Sequence, residues 1–352
     1  MAQFHNLTIK SIKNVTDKSV AITFEVPETL KANFKFNAGQ YITLKTTING
    51  EEIRRDYSIC ASTSSGDLTV AVKSVDGGTF SIYANKALKV GDTLEVAPPN
   101  GRFVFESNEA KTRTIAAFAA GSGITPILSI AKTLLEEEPF SNFILVYGNK
   151  TLDDAMFVDE LLDLKTTYGN RFHIHFIYSQ AQEENALFGR IEKSIVNLIV
   201  KNKYKDVTIE KFYVCGPEAM IQTVKDTLTE NGVKEKDILF ELFTPPSEAE
   251  NSDASESNEG HSRIKIIVDE EEFEFEMSNE QSILEAALKQ DIDAPYSCQG
   301  GICSSCIARL VEGQAVMRQN NILTDNEVAE GLVLTCQAHP TSATIVVDYD
   351  DV

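Results

Sequence analysis

The sequence predicts a multidomain protein: an antiparallel β-barrel, then an α/β domain on a parallel sheet, then a smaller C-terminal module. Three observations predict it. The first hundred residues carry closely spaced short strands without long helices. From about Lys111, apolar strand-like runs alternate with helical stretches. A stretch at 245–260 with no aromatic, β-branched or positively charged residue then sets the last 90 or so residues apart.

A chain of 352 residues has room for two or three such domains, and 42% hydrophobic with 24% charged residues is ordinary for globular protein. A net charge of −21 argues against nucleic acid and anionic membrane surfaces as partners. It suits a soluble protein, or one that meets a basic partner face. The N-terminal Met1-Ala2-Gln3-Phe4-His5-Asn6 lacks the charged and apolar regions of a signal peptide. The longest apolar runs, 114–120 and 195–200, are too short to span a bilayer. The expected location is therefore cytoplasmic, where six cysteines point to metal or catalysis before disulfides.

Strands are expected at 20–26, 40–44 and 68–72, with turns at Asn49-Gly50 and Ser65-Gly66-Asp67, making a barrel of residues 1–108. Runs at 114–120, 143–147, 173–178 and 211–214 give the parallel sheet of an α/β domain at 109–246, and no internal repeat overrides this. Residues 247–261 form an acidic linker of about 20–25 Å reach that would let the module swing. The module, 262–352, opens on a strand at 264–268. An alternating strand, Glu272-Phe273-Glu274-Phe275-Glu276, follows with its glutamates on a solvated face. Ser278-Asn279-Glu280-Gln281 reads as the capping box of a helix whose apolar face is Ile283, Leu284, Ala287 and Leu288.

Cys298, Cys303, Cys306 and Cys336 stand in the spacing C-x4-C-x2-C…C of plant-type [2Fe–2S] sites. Two ferric ions and two sulfides need four thiolates. Gly300 and Gly301 let the loop wrap closely and aim N–H groups at sulfur. The alternative is a structural zinc site, which normally uses two separate short-spaced pairs. The stretch, with Leu334-Thr335-Cys336-Gln337, resembles plant-type ferredoxins over about 90 residues, which implies a β-grasp ferredoxin domain and a cluster near about −400 mV.

Arg55-Asp56-Tyr57-Ser58 resembles the R-x-Y-S signature of the ferredoxin–NADP reductase superfamily. Arg55 suits a flavin phosphate through its bidentate fork, Tyr57 a stacked flavin ring and Ser58 a bond near flavin N5. Gly77-Gly78-Thr79-Phe80-Ser81 resembles that family's second phosphate loop at a helix N-terminus. Gly39-Gln40-Tyr41 and Pro99-Asn100-Gly101-Arg102-Phe103 fall where the family has matching segments. The resemblance implies FAD, held by Arg55, Tyr57, Ser58, Val72, Lys73, Gly77, Gly78 and Ser81. Some relatives carry FMN. The plain alternative for the first motif is a strand with an exposed Arg and a core Tyr.

Gly121-Ser122-Gly123-Ile124-Thr125-Pro126 is a phosphate-cradling turn, or else a simple strand-to-helix joint. Pro126 fits a first helical turn. The G-x-G-x-x-P form is the one this superfamily uses for NAD(P)H, which implicates Gly121, Gly123, Thr125 and Pro126. Cys215-Gly216-Pro217-Glu218-Ala219-Met220 resembles its C-G-P-x-x-M segment, with Cys215 and Gly216 beside the nicotinamide; the alternative for Cys215 is a small buried hydrophobe. Glu241-Leu242-Phe243 resembles the closing segment that covers the flavin, with Phe where plastid reductases have Tyr. No acidic residue ends the strand at Tyr147-Gly148-Asn149-Lys150, and Lys150 and Arg190 can reach a 2′-phosphate, which points to NADPH; Asn149 is a further cofactor-binding candidate.

The order of modules resembles reductase components of multicomponent bacterial oxygenases. The segments Leu145-Val146-Tyr147-Gly148-Asn149-Lys150, Ile177-Tyr178-Ser179-Gln180, Phe188-Gly189-Arg190-Ile191 and Phe243-Thr244-Pro245 are most similar to the branch serving phenylacetyl-CoA breakdown. The resemblance implies hydride transfer shaped by catalytic Ser58, Cys215 and Glu241, then single electrons leaving through the cluster to a separate oxygenase component. Open alternatives are a reductase for an aromatic-ring dioxygenase or demethylase, and a ferredoxin-like redox sensor without turnover.

Overall fold

A computed structural model describes residues 4–243 and 260–352. Two compact units emerge: residues 4–53 with 57–243, and residues 260–352. Most of the expected linker, 247–259, lies outside the described residues.

The barrel has strands β1 (His5–Thr16), β2 (Ser19–Glu25), β3 (Tyr41–Ile48), β4 (Glu51–Ser58), β5 (Leu68–Lys73) and β6 (Thr93–Val96), with helix α1 (Thr79–Lys86) before the last. Their order is β4-β3-β6-β1-β2-β5. An Ile59–Val70 bridge and a Cys60 N–H to Thr69 carbonyl bond of 2.9 Å join the two ends. Alternation sends Val20, Ile22 and Phe24 inward from β2, and each such side chain contributes about 1.5–3 kcal/mol of burial. The longest strand, β1, was not expected. Only Leu7 and Ile9 of its twelve residues are fully buried, so its apolar signal is faint.

The second domain has β7 (Thr114–Ala120), α2 (Ile124–Glu137), β8 (Asn142–Asn149), α3 (Val158–Tyr168), β9 (Phe172–Tyr178) and β10 (Leu187–Phe188). After these come α4 (Lys193–Asn197), β11 (Ile209–Cys215), α5 (Glu218–Glu230) and β12 (Ile238–Glu241). All six strands are parallel, in the order β10-β9-β8-β7-β11-β12. The chain leaves β7 toward one edge and later returns to its other side at β11. That reversal is where open parallel sheets bind ligands, outside the strands' C-terminal ends.

The α2 helix is apolar on nearly every face because it has two neighbours. One face covers the sheet. The other meets the barrel, whose Ala38, Cys60, Ala71, Phe103 and Phe105 share one core with the second domain. Ser129 on α2 donates to the Ala61 carbonyl at 2.6 Å. At Gly39 (φ +99°) a Cβ would lie 2.0 Å from the Phe103 carbonyl oxygen, so this seam needs glycine.

The C-terminal module has β13 (His261–Val268), β14 (Glu271–Ser278), α6 (Ile283–Lys289), β15 (Ile307–Glu312) and β16 (Ala315–Met317). Then come α7 (Asp325–Ala329), β17 (Leu332–Leu334), β18 (Ala338–Pro340) and β19 (Thr344–Asp348). A mixed five-stranded sheet, β14-β13-β19-β15-β17, packs its core against α6, as a β-grasp fold requires. The β14 glutamates are exposed as expected. The capping box is corrected. Ser278 still pairs with His261 in the hairpin, so the strand claims it. The helix starts later, capped by Ser282, whose hydroxyl accepts the Glu285 N–H at 3.1 Å. A full capping box occurs instead at Thr324 and Glu327 on α7.

The β13–β14 turn places Asp269 and Glu270 both at positive φ, 54° and 64°. The two Asp350 carboxylate oxygens accept their N–H groups at 2.9 and 2.8 Å and hold the turn. No helix of the described residues is long and apolar enough to cross a membrane.

Candidate functional site

The C-terminal edge of the parallel sheet gathers most of the expected nucleotide residues. Gly121 follows β7, Asn149 ends β8 with Lys150 next, Arg190 lies just past β10, Cys215 ends β11 and Glu241 ends β12. The turn at 121–123 and the Cys215–Gly216 corner adjoin at the reversal point. A Cβ on Gly123 would lie 2.2 Å from the Cys215 carbonyl oxygen, so the turn reaches that corner only through glycine. Thr125 donates to the Ser122 carbonyl at 3.0 Å and firms the turn. Pro126 lies in the first turn of α2. Lys150 and Arg190 are exposed, two cations on one edge.

Ser58, Cys215 and Glu241 come together from three elements. Cys215 and Glu241 are register partners on adjacent strands. The Ser58 hydroxyl, at the end of β4, donates to a Glu241 carboxylate oxygen at 3.4 Å. Cys215 is fully buried, and burial, followed by the Glu241 charge, pushes its thiol well above the ordinary range. Burial thus favours the neutral thiol. Phe243, two residues past Glu241, is 38% exposed, a ring with a free face.

The flavin candidates line β4 and the start of α1. The Tyr57 ring lies 5.4 Å from that of Phe80, tilted by 34°. Arg55 is exposed, with one guanidinium N–H on the Arg54 carbonyl at 2.7 Å. Gly77 (φ +73°) and Gly78 lead into α1, and the Ser81 hydroxyl accepts the Val75 N–H at 3.2 Å. An open helix N-terminus and, on β4, an arginine and a half-buried tyrosine fit a flavin carrying phosphate. Val72 is buried in the barrel core, so its backbone is what it offers a ligand. The Lys73 ammonium donates to the Asp154 carbonyl at 3.0 Å.

In the C-terminal module the four cysteines form two thiol pairs, Cys298 with Cys303 and Cys306 with Cys336. Bonding from Cys303, helped by the Gly300, Ile302 and Cys303 amides, holds Cys298 down at about 6. Cys306, with the Gly301 amide, likewise lowers Cys336. Their pair partners are raised. Two pairs match two irons. The buried Ser297 hydroxyl beside Cys298 has no partner, and the Gly300 N–H points at the Cys298 sulfur at 3.3 Å. These groups fit a sulfide-bearing cluster. Behind them, Tyr349 donates to Thr335 at 2.9 Å and Thr335 to the Cys306 carbonyl at 3.0 Å, a buried chain that fixes the loop.

Sequence reasoning missed Tyr147. Its hydroxyl donates to the Gly121 carbonyl and accepts the Met156 N–H, both at 3.1 Å. The available signal was a tyrosine in an otherwise apolar strand, since a buried Tyr must find a polar partner.

Three family models match the chain: an oxidoreductase FAD-binding domain at 6–105, an oxidoreductase NAD-binding domain at 118–226 and a 2Fe-2S iron-sulfur cluster binding domain at 266–341. The chain is 38% identical over 352 residues to a component of the 1,2-phenylacetyl-CoA epoxidase of Escherichia coli (strain K12), covering 99% of each. It is 27% identical to the ferredoxin reductase component of 3-ketosteroid-9-alpha-monooxygenase of Rhodococcus rhodochrous, over 97% of this chain and 96% of that one. Among solved structures it is similar to phthalate dioxygenase reductase, with TM-score 0.62, 26% identity and 98% of both chains covered.

Proposed function

The chain belongs to the ferredoxin–NADP reductase superfamily, in the group with a C-terminal [2Fe–2S] ferredoxin domain, and from that premise we propose that it feeds a phenylacetyl-CoA epoxidising oxygenase with electrons from NADPH. It is an NAD(P)H-dependent flavin iron–sulfur oxidoreductase. The observation that carries the reading is the meeting of Ser58, Cys215 and Glu241 where the barrel joins the parallel sheet.

Bound FAD and a [2Fe–2S] cluster supply the conversion of a hydride pair into single electrons. The chain's own residues orient and insulate. Gly121, Gly123, Thr125 and Pro126 offer the nucleotide phosphates a turn at a helix N-terminus. The buried Cys215 thiol would present a small apolar wall to the nicotinamide. Glu241 keeps the Ser58 hydroxyl aimed and can take up or return its proton. Tyr57 would stack on the flavin, Phe243 would cover it, and Arg55 with Gly77, Gly78 and Ser81 would hold its pyrophosphate. Cys298 with Cys303 would hold one iron and Cys306 with Cys336 the other. Support for NADPH over NADH comes from Lys150 and Arg190 at the sheet edge, where no carboxylate ends β8.

The test is a visible spectrum of the purified protein before and after anaerobic NADPH, followed by flavin identification and electron delivery to a phenylacetyl-CoA oxygenase. Flavin and cluster bleaching with NADPH preferred over NADH is expected. Delivery only to an aromatic-ring oxygenase would reassign the partner. Spectral loading without turnover would make the protein a redox sensor.

A further inference from the structure

The loop after β8, residues 150–157, is fastened from two sides. On the sheet side, Tyr147 ties the Met156 N–H to the Gly121 carbonyl of the phosphate turn. On the barrel side, the Lys73 ammonium, at the end of β5, donates to the Asp154 carbonyl at 3.0 Å. Within the loop, Thr151 donates to the Asp154 carboxylate at 3.0 Å and accepts the Asp154 N–H at 3.3 Å. The loop closes on Phe157 at φ 62°, ψ 25°, a left-handed conformation that a bulky residue keeps only when its surroundings impose it.

Lys73 is half-buried, and burial lowers its pKa against the pull of the Asp154 charge, with Lys150 and Lys18 adding to the lowering. The Asp154 carbonyl and the Asp154 charge together hold the ammonium against the loop. At the head of the loop, the Asn149 side-chain amide lies beside the Tyr147 hydroxyl, and neither of its polar atoms completes a hydrogen bond. The held Lys73 and the Asn149 amide with unused bonds thus bracket the start of a loop that carries the exposed Lys150.

We propose that Lys73 is a positioning residue for the nicotinamide nucleotide: from the flavin-side strand it clamps loop 150–157 and so sets Asn149 and Lys150 over the phosphate turn. This rests on the nucleotide reading given above. It gives Lys73 a role distinct from the flavin contact its motif implied.

The test compares full-length wild type, Lys73→Met and Lys73→Arg, using NADP+ binding by calorimetry on the oxidised protein. For Lys73→Met, Kd for NADP+ and KM for NADPH should rise about fivefold or more. The fall in kcat should be smaller than the rise in KM, with flavin content and cluster absorbance as in wild type. Amide exchange at Ala155 and Met156 should quicken, and Lys73→Arg should restore most of the affinity. Flavin loss with unchanged Kd would make Lys73 a flavin ligand and overturn the proposal. So would unchanged Kd and unchanged exchange in fully loaded protein. If wild type itself bound neither NADP+ nor NAD+, the nucleotide reading would fall as well.

Discussion

Cysteines serve both halves of this protein, under opposite control. Cys215 is kept a neutral thiol by burial, with the Glu241 charge adding to the effect. Cys298 is drawn down to about 6 by a neighbouring thiol and by backbone N–H groups aimed at its sulfur. The contrast extends past cysteine. In the α/β domain, burial and then Lys203 hold His175 neutral down to about 4. In the C-terminal module, the Glu270 and Asp269 amides hold Asp350 ionised. Of these four groups, the two in the α/β domain are set by the exclusion of water and the two in the C-terminal module by arranged donors. The latter suits its task, since an iron–sulfur cluster needs thiolates.

The strongest test of the donor-controlled half is Cys306→Ser. Cluster absorbance and cytochrome c reduction should vanish, while NADPH–ferricyanide activity through the flavin persists. Alkylation of the cluster-free protein at pH 7 comes next. Cys298 should react at least about a hundredfold faster than Cys215, because the thiolate is the nucleophile; equal rates would erase the contrast. Gly123→Ala probes the burial-controlled half, since its Cβ would meet the Cys215 carbonyl oxygen. NADPH oxidation should fall about a hundredfold with an intact cluster spectrum.

Acid stability gives a smaller effect. The unfolded chain takes a proton on His175 near pH 6.5, whereas the folded chain resists until about 4. Stability of this unit should therefore decline as pH falls from 6.5 toward 4, and His175→Phe should flatten that slope in acid melts. Asp350→Ala is the mildest change, costing about 1 kcal/mol in denaturant titrations by freeing the Asp269–Glu270 turn. Glu270→Gly should recover part of that, because glycine accepts positive φ. Asp350 has a lowered pKa, so its share of stability is present above about pH 4 and fades below it.

The parts of the fold and site carried by local chemistry were legible in the sequence. Cysteine spacing marked the cluster loop, glycines marked the turns, and unbroken apolar runs marked a sheet buried on both faces. What stayed hidden depended on distant partners. Strand β1 is mostly polar and holds its place through β2 and β6. Ser278 satisfies a capping pattern but pairs across a hairpin. Lys73 and Tyr147 show their purpose only when residues from another strand or loop arrive beside them.

The core shared by barrel and α/β domain also bears on how the chain is made. Phe103 and Phe105 of its barrel wall leave the ribosome well before Tyr213 of β11, which packs on both rings and follows Phe105 by 108 residues. At ordinary synthesis rates this wall waits on the order of ten seconds for its cover. During that interval a nascent barrel displays a greasy patch, the surface a chaperone would bind and a truncated transcript would leave exposed for good.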